Sequence, residues 1–292
     1  MDVFLPAILE EALETAAEHP KVVSIAGGTD VMVELNMDLG RPESLMDVSR
    51  LPELQEIRRE NGSLFLGAGV TYTRIMGELP ELRALVQASR SVGSPQIRNR
   101  GTVGGNLGTA SPAGDALPVL AAWDAEVVLG RAGGSTRSVP WDAFLTGVKQ
   151  TSLEPGELIL GARWNVPDGP GSFSKIGTRN AMVIAVASLC LQVDERSRSI
   201  RVALGSVAKT VVRARDAETT AAQALEDAEA WVDPRADLGA GASERFGELV
   251  AGAASPIDDV RGTAAYRRHA VSVLARRALA WALDDRRAVA AA

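Results

Sequence analysis

The chain has a single cysteine, Cys190, among its 292 residues. One thiol can form no internal disulfide, no thiolate zinc site and no iron–sulfur cluster held by this chain alone. Histidine is nearly as scarce: His19 and His269 stand far apart, leaving no imidazole metal cluster and no HExxH motif. They also leave little material for a Ser-His-Asp triad, and neither a GxSxG elbow nor a GxxxxGK[ST] phosphate loop occurs. Basic residues are outnumbered, 31 Lys+Arg against 37 Asp+Glu for a net charge of −6, which argues against nucleic acid as the main partner. No run of about 18 apolar residues is present, so no membrane span is expected. Residues 1–18 lack a basic n-region and carry acids through their apolar stretch, so they do not read as a signal peptide, and a cytoplasmic protein is expected.

What the chain does have is glycine, 28 residues unevenly placed, within a composition that is 46% hydrophobic and able to fill two or three cores. Apolar spacing predicts a helix over 6–18, with Pro6 in its first turn, then short strands at 22–26 and 44–48. Asn61-Gly62 between 54–59 and 64–67 predicts a hairpin. Helical periodicity covers 71–92, residues 93–108 read as a loop, and 113–123 read as helix. Strands at 126–129 and 157–166 flank a polar turn at 130–138. The cluster Pro167-Asp168-Gly169-Pro170-Gly171 is the best domain boundary by composition. Beyond it, alternation at 187–193 and 200–204 predicts an antiparallel hairpin, followed by helices near 215–230, 244–254 and 263–283 and a frayed end at 289–292. The layout is α+β in three parts: 1–55, 56–170 and 171–292.

Three glycine clusters compete for chemistry. In Ala26-Gly27-Gly28-Thr29-Asp30, two glycines after a strand let backbone amides converge on an anion such as a pyrophosphate; the plain alternative is a tight turn capped by Thr29 or Asp30. Gly101-Thr102-Val103-Gly104-Gly105-Asn106-Leu107-Gly108 is too rich in small donors for a simple connection, and an ordered loop of that kind is usually functional. Asp115 follows it, able either to cap a helix from Ala116 or to hydrogen-bond a ribose. Gly67-Ala68-Gly69 imitates a Rossmann start but lacks the third glycine and the later acid, so it reads as a strand turning into a helix capped by Thr71. Two nest-forming segments without a nucleophile or metal set suggest a large cofactor that brings its own chemistry.

The pairing of the 26–30 motif with Thr102-Val103-Gly104-Gly105-Asn106…Ser111-Pro112-Ala113-Gly114-Asp115…Pro118 resembles the FAD-binding medium subunit of the molybdenum hydroxylases, the group of xanthine dehydrogenase and carbon monoxide dehydrogenase flavoproteins. Phe173-Ser174-Lys175-Ile176-Gly177-Thr178-Arg179 with Ile184-Ala185, and Tyr266-Arg267-Arg268 with Leu274-Arg276-Arg277-Ala278-Leu279, are similar to that family's C-terminal domain. The resemblance covers essentially the whole chain. It implies two α/β subdomains of the vanillyl-alcohol-oxidase-like (PCMH-type) fold, 1–55 and 56–170, clamping FAD. A C-terminal α+β domain, 171–292, would add an antiparallel sheet with helices.

By the same resemblance Ile25, Ala26, Gly27, Gly28, Thr29, Asp30 and Val31 would hold the pyrophosphate. Thr102, Val103, Gly104, Gly105 and Asn106 would run along the phosphates and flavin, Asp115 would face the ribose or adenosine end, and Ile159 would pack on the cofactor. Lys175 would lie near the flavin ring, where an ammonium stabilises the charge of reduced flavin and raises its potential. Val92 stands where animal relatives place an aromatic side chain, and Cys190, alternating with apolar residues, reads as structural. The implied role is an oxidoreductase subunit with no metal of its own. It would pass electrons from [2Fe–2S] clusters on an iron–sulfur subunit, fed by a molybdopterin subunit, through FAD to NAD, a quinone or oxygen, in a dimer of heterotrimers. Two other readings stay open: a stand-alone flavin-dependent oxidoreductase, and a non-catalytic nucleotide-binding assembly module.

Overall fold

A computed structural model describes every residue except Ala240 and Ala292. Its first elements are β1 (Asp2–Phe4), α1 (Leu9–Glu18), β2 (Val23–Ile25), α2 (Val31–Asn36) and β3 (Ser44–Asp47). The three strands make a parallel sheet in the order β1-β3-β2. Ala12, Leu13 and Ala16 of α1 are buried at helical spacing and join Met46, Leu51 and Leu54 in one core cluster. The helix begins at Leu9, later than Pro6 suggests. Ile8 is extended and caps the helix without a side-chain bond, while Glu11 reaches back to accept from the Ala7 amide at 2.7 Å.

β4 (Ile57–Glu60) and β5 (Ser63–Gly67) form the expected hairpin, with Asn61 and Gly62 both left-handed at φ 48° and 81° as a tight turn of this type requires. Helices α3 (Tyr72–Glu78), α4 (Arg83–Ser91), α5 (Pro95–Arg100), α6 (Val103–Thr109) and α7 (Leu117–Ala122) follow. The single periodic stretch 71–92 is therefore two helices, interrupted around Pro80, which cannot donate a helical hydrogen bond. Nor is 93–108 a loop. Pro95 opens α5 and Thr102 caps α6, whose glycines are poor helix formers in isolation, though close packing requires one of them, Gly104, as described below.

The next elements are β6 (Glu126–Gly130), β7 (Thr136–Pro140), α8 (Trp141–Phe144), β8 (Leu145–Gly147), β9 (Gln150–Thr151) and β10 (Leu158–Asn165). An antiparallel sheet runs β4-β5-β10-β6-β7, and β8 and β9 pair as a small hairpin. β7 occupies part of the stretch read as a polar turn. The turn itself is carried by Gly133 and Gly134, both at positive φ.

The C-terminal elements are β11 (Gly171–Ile176), β12 (Ala187–Asp194), β13 (Ser199–Gly205), β14 (Val212–Arg213), α9 (Arg215–Asp227), α10 (Ala242–Ala253) and α11 (Ala264–Ala290). The strands form an antiparallel sheet in that order. β12 is buried on both faces: Ala187, Leu189, Leu191 and Val193 belong to the core shared with α9, α10 and α11. Of the intervening residues, Gln192 accepts from the Trp123 indole at 3.0 Å. α11 runs through Ala290, further than the frayed end expected, and Ala292 lies outside the described residues.

The chain divides into two compact units. The first comprises Met1–Pro80, Val92–Ser111 and Asp124–Asn165; the second comprises Glu81–Ser91, Pro112–Trp123 and everything from Val166 onward. Helices α4 and α7 thus pack with the C-terminal sheet and not with the 56–170 segment to which sequence position assigned them. Gln87 on α4 accepts from the Phe173 amide (2.8 Å), and the Ala121 carbonyl of α7 accepts from Arg213 (2.9 Å).

Candidate functional site

In the first unit β2 delivers the chain into the turn 26–30, which leads directly into α2. Gly28 is left-handed at φ 72°, a conformation that favours glycine. A Cβ on Gly27 would fall 2.0 Å from the Arg100 carbonyl oxygen and 2.9 Å from the Gly101 nitrogen. The two glycine motifs, distant in sequence, are therefore stacked backbone against backbone. Asp30 adds a side-chain link, accepting from the Thr109 hydroxyl at 3.1 Å. Among the described residues the amides of Gly28, Thr29 and Asp30 donate no hydrogen bond, so three N–H groups in one turn have their donor capacity open.

The Thr102 hydroxyl accepts from the Gly105 amide at 2.9 Å and caps α6. Val103 and Gly104 are buried, and the Gly104 amide donates to the Ala68 carbonyl at 3.0 Å. A Cβ on Gly104 would lie 2.4 Å from the Ala68 Cβ, which is why glycine stands there inside a helix. Gly105 meets only the Thr102 hydroxyl, at 3.2 Å. Asn106 carries a buried Oδ1 with no hydrogen-bond partner among the described residues. Ile159 of β10 is half-buried, its Cδ1 3.5 Å from where a Gly108 Cβ would sit. Open amides in a glycine turn, with an unpartnered acceptor and an aliphatic side chain on and against the helix that the turn is tied to through Asp30 and Thr109, fit a dinucleotide cofactor with a pyrophosphate.

Asp115 and Lys175 lie in the second unit and meet there. The Lys175 ammonium is 2.5 Å from Asp115 Oδ2 and donates to the Ser91 carbonyl at 2.9 Å, with both charged side chains more than nine-tenths buried. The Ser91 hydroxyl lies 3.0 Å from the same carboxylate oxygen. Asp115 Oδ1 has no partner among the described residues. Burial pushes the Asp115 carboxyl above its usual range, against the pull of the Lys175 charge and hydrogen bond and of Ser91. Asp115 does not cap α7, whose N-cap is Ala116 without a side-chain bond. Gly67-Ala68-Gly69 is the strand end expected, leading to Thr71, which accepts from the Arg74 amide and caps α3. Cys190 is fully buried and unbridged, its thiol pushed up by burial.

Sequence reasoning misses Ala68 and Ser91. Each acts through a backbone group or a single hydroxyl, and no motif signals such a partner.

Comparison with known proteins divides the chain by sequence position, between residues 164 and 172. Residues 1–164 match the family model described as FAD binding domain in molybdopterin dehydrogenase, and residues 172–282 match the CO dehydrogenase flavoprotein C-terminal domain. The chain belongs to the FAD-binding subunits of the molybdenum hydroxylase family. It is 35% identical over 206 residues to the nicotinate dehydrogenase FAD-subunit of Eubacterium barkeri, covering 66% of this chain and 69% of that one. It is 30% identical to the carbon monoxide dehydrogenase medium chain of Hydrogenophaga pseudoflava over 270 residues, 88% of each chain. A solved structure of carbon monoxide dehydrogenase from that organism, lacking the Mo-pyranopterin moiety of its cofactor, matches with a TM-score of 0.84 at 26% identity over 98% of both chains. The chain is thus an oxidoreductase subunit of α+β fold whose cofactor is FAD. Among the described residues no helix is long and apolar enough to cross a membrane.

Proposed function

We propose that this subunit carries electrons inside a molybdenum hydroxylase complex. Its FAD would take them from [2Fe–2S] clusters on an iron–sulfur subunit, fed by a molybdopterin subunit, and give them to NAD, a quinone or oxygen. The observation that supports this most is the stacking of the Gly27 turn on Arg100–Gly101, which gathers the two glycine motifs beside open amides. When bound, FAD supplies the redox chemistry, accepting electrons singly or in pairs. The amides of Gly28, Thr29 and Asp30, with the Thr29 hydroxyl, would hold the pyrophosphate. The Thr102 hydroxyl accepts from the Gly105 amide and fixes the start of α6, which leaves its own O–H to donate to the cofactor. Asn106 Oδ1 would accept a hydrogen bond from the cofactor, and Ile159 would exclude water beside it. With Cys190 as its only cysteine, the chain cannot ligate a cluster by itself, so clusters would come from a partner.

The test is spectroscopic and compositional. Purified holoprotein should show flavin absorption bands and release FAD on denaturation, and Gly28→Val should fold but lose FAD. A folded, colourless preparation that takes up no FAD overturns the cofactor assignment. Native co-purification should bring iron and molybdenum, at a mass fitting a dimer of heterotrimers. Turnover of an organic substrate by the isolated chain would instead establish a stand-alone oxidoreductase.

A further inference from the structure

α2 begins at the end of the Gly27–Asp30 turn, yet none of its residues is buried. Val31 and Leu35 are half-buried, and Met32 and Val33 are nearly half exposed, so apolar packing holds this helix weakly. Its position rests on polar contacts within the first unit. At its start Asp30 accepts from Thr109, the last residue of α6. One turn on, Glu34 accepts from the Lys149 ammonium at 2.6 Å.

Lys149 sits at the tip of the β8–β9 hairpin in the left-handed region, φ 54°. Its backbone amide donates to the carbonyl of Ala110, the left-handed residue that ends α6, at 3.1 Å. A single residue therefore grips the end of α6 through its main chain and α2 through its side chain. Of those two helices, α2 follows directly from the first glycine motif and α6 carries most of the second. The hairpin adds no ligand to the turn, but it constrains the angle at which α2 leaves it.

We infer that Lys149 is a positioning residue for FAD: by bridging Ala110 and Glu34 it holds α2, and with it the Gly28–Asp30 amides, in register with α6. This rests on the reading that the 26–30 turn holds the cofactor's pyrophosphate. The Glu34–Lys149 pair is partly exposed, its side chains 47% and 60% accessible, so its effect is modest and screened by salt.

The test uses the full chain with Lys149→Met, Glu34→Gln and the reversed pair Glu34→Lys/Lys149→Glu. In holoprotein at low salt, each single variant should release FAD about three-fold faster than wild type, the scale of one exposed ion pair. High salt should erase the difference, and the reversed pair should restore slow release. In FAD-free protein, amides of residues 31–39 should exchange faster in both single variants, with thermal midpoints unchanged. Wild-type release rates in the singles, or losses that the reversed pair does not repair, overturn the proposal. So does unchanged exchange in α2, an arm that needs no cofactor. A wild-type protein that takes up no FAD overturns the cofactor assignment, while the exchange arm still decides whether Lys149 holds α2.

Discussion

Asp115 in the second unit and Glu157 in the first are each only 5% exposed, yet their carboxyls move in opposite directions. Glu157 faces Arg137 through both oxygens, at 2.7 and 2.8 Å, with the Glu154 amide at 2.8 Å and Arg131 at 3.3 Å. These donors, Arg137 first, hold it below the usual carboxylate range. Asp115 receives Lys175 and Ser91 on one oxygen and nothing described on the other, so burial wins and its carboxyl rises. Burial alone does not set the direction of the shift; the donors that face each oxygen decide it. The signs differ accordingly for stability. Glu157 contributes above its unfolded value, and the contribution is lost as pH falls through its depressed folded value. Asp115 contributes below its unfolded value, and that contribution is lost as pH rises through its raised one.

The largest expected effect breaks the weaker centre. Asp115→Asn leaves the Lys175 ammonium buried without a counter-charge and should cost about 3–5 kcal/mol in urea unfolding at neutral pH. Lys175→Met should cost a similar amount, but the double variant should lose well under the sum, because no uncompensated charge remains. Strict additivity would show that the two groups do not act as a pair. The first unit depends instead on backbone approach. Gly104→Ala drives a methyl into Ala68 and should cost about 1–3 kcal/mol, with faster FAD release. Glu157→Gln should cost about 1–3 kcal/mol at neutral pH, with the gap to wild type closing as pH falls through the depressed carboxyl value. A gap that widens on acidification would contradict the donor count given above.

These contrasts also mark what could be read along the chain. The Asn61-Gly62 hairpin and the Thr71 cap are local, each set by residues within a few positions of one another, and the β12–β13 ladder zips outward from its own turn between Asp194 and Ser199. The two glycine motifs were visible as clusters, but the helical state of 103–109 depends on Ala68, a residue far back in the chain whose methyl leaves room only for glycine. Lys175 and Asp115 carry separate roles in the sequence reading, yet they face each other across 60 positions. Periodicity records which face of a helix is apolar and not which sheet receives it, so sequence position alone groups α4 and α7 with 56–170, whereas they pack on the C-terminal sheet.

The smallest effect sharpens the comparison most, because it sets two hydroxyls against each other. Thr102 in the first unit accepts from the Gly105 amide, so its side chain serves the backbone. Ser91 in the second shares its one O–H between the Ala88 carbonyl at 2.7 Å and the Asp115 carboxylate at 3.0 Å, while its own carbonyl, which no substitution removes, accepts from Lys175. Thr102→Ala leaves an N-terminal amide of α6 uncapped and should cost about 1 kcal/mol, with Thr102→Ser restoring most of it. Because α6 borders the glycine turn, the same variant should also speed FAD release. Ser91→Ala takes a donor from an oxygen that keeps Lys175, so its cost should be of similar size but should shrink on acidification as Asp115 binds its proton. A cap has no titrating partner. The Thr102→Ala loss should therefore stay constant over the pH range in which the Ser91→Ala loss fades, and two parallel urea-midpoint series read that difference directly.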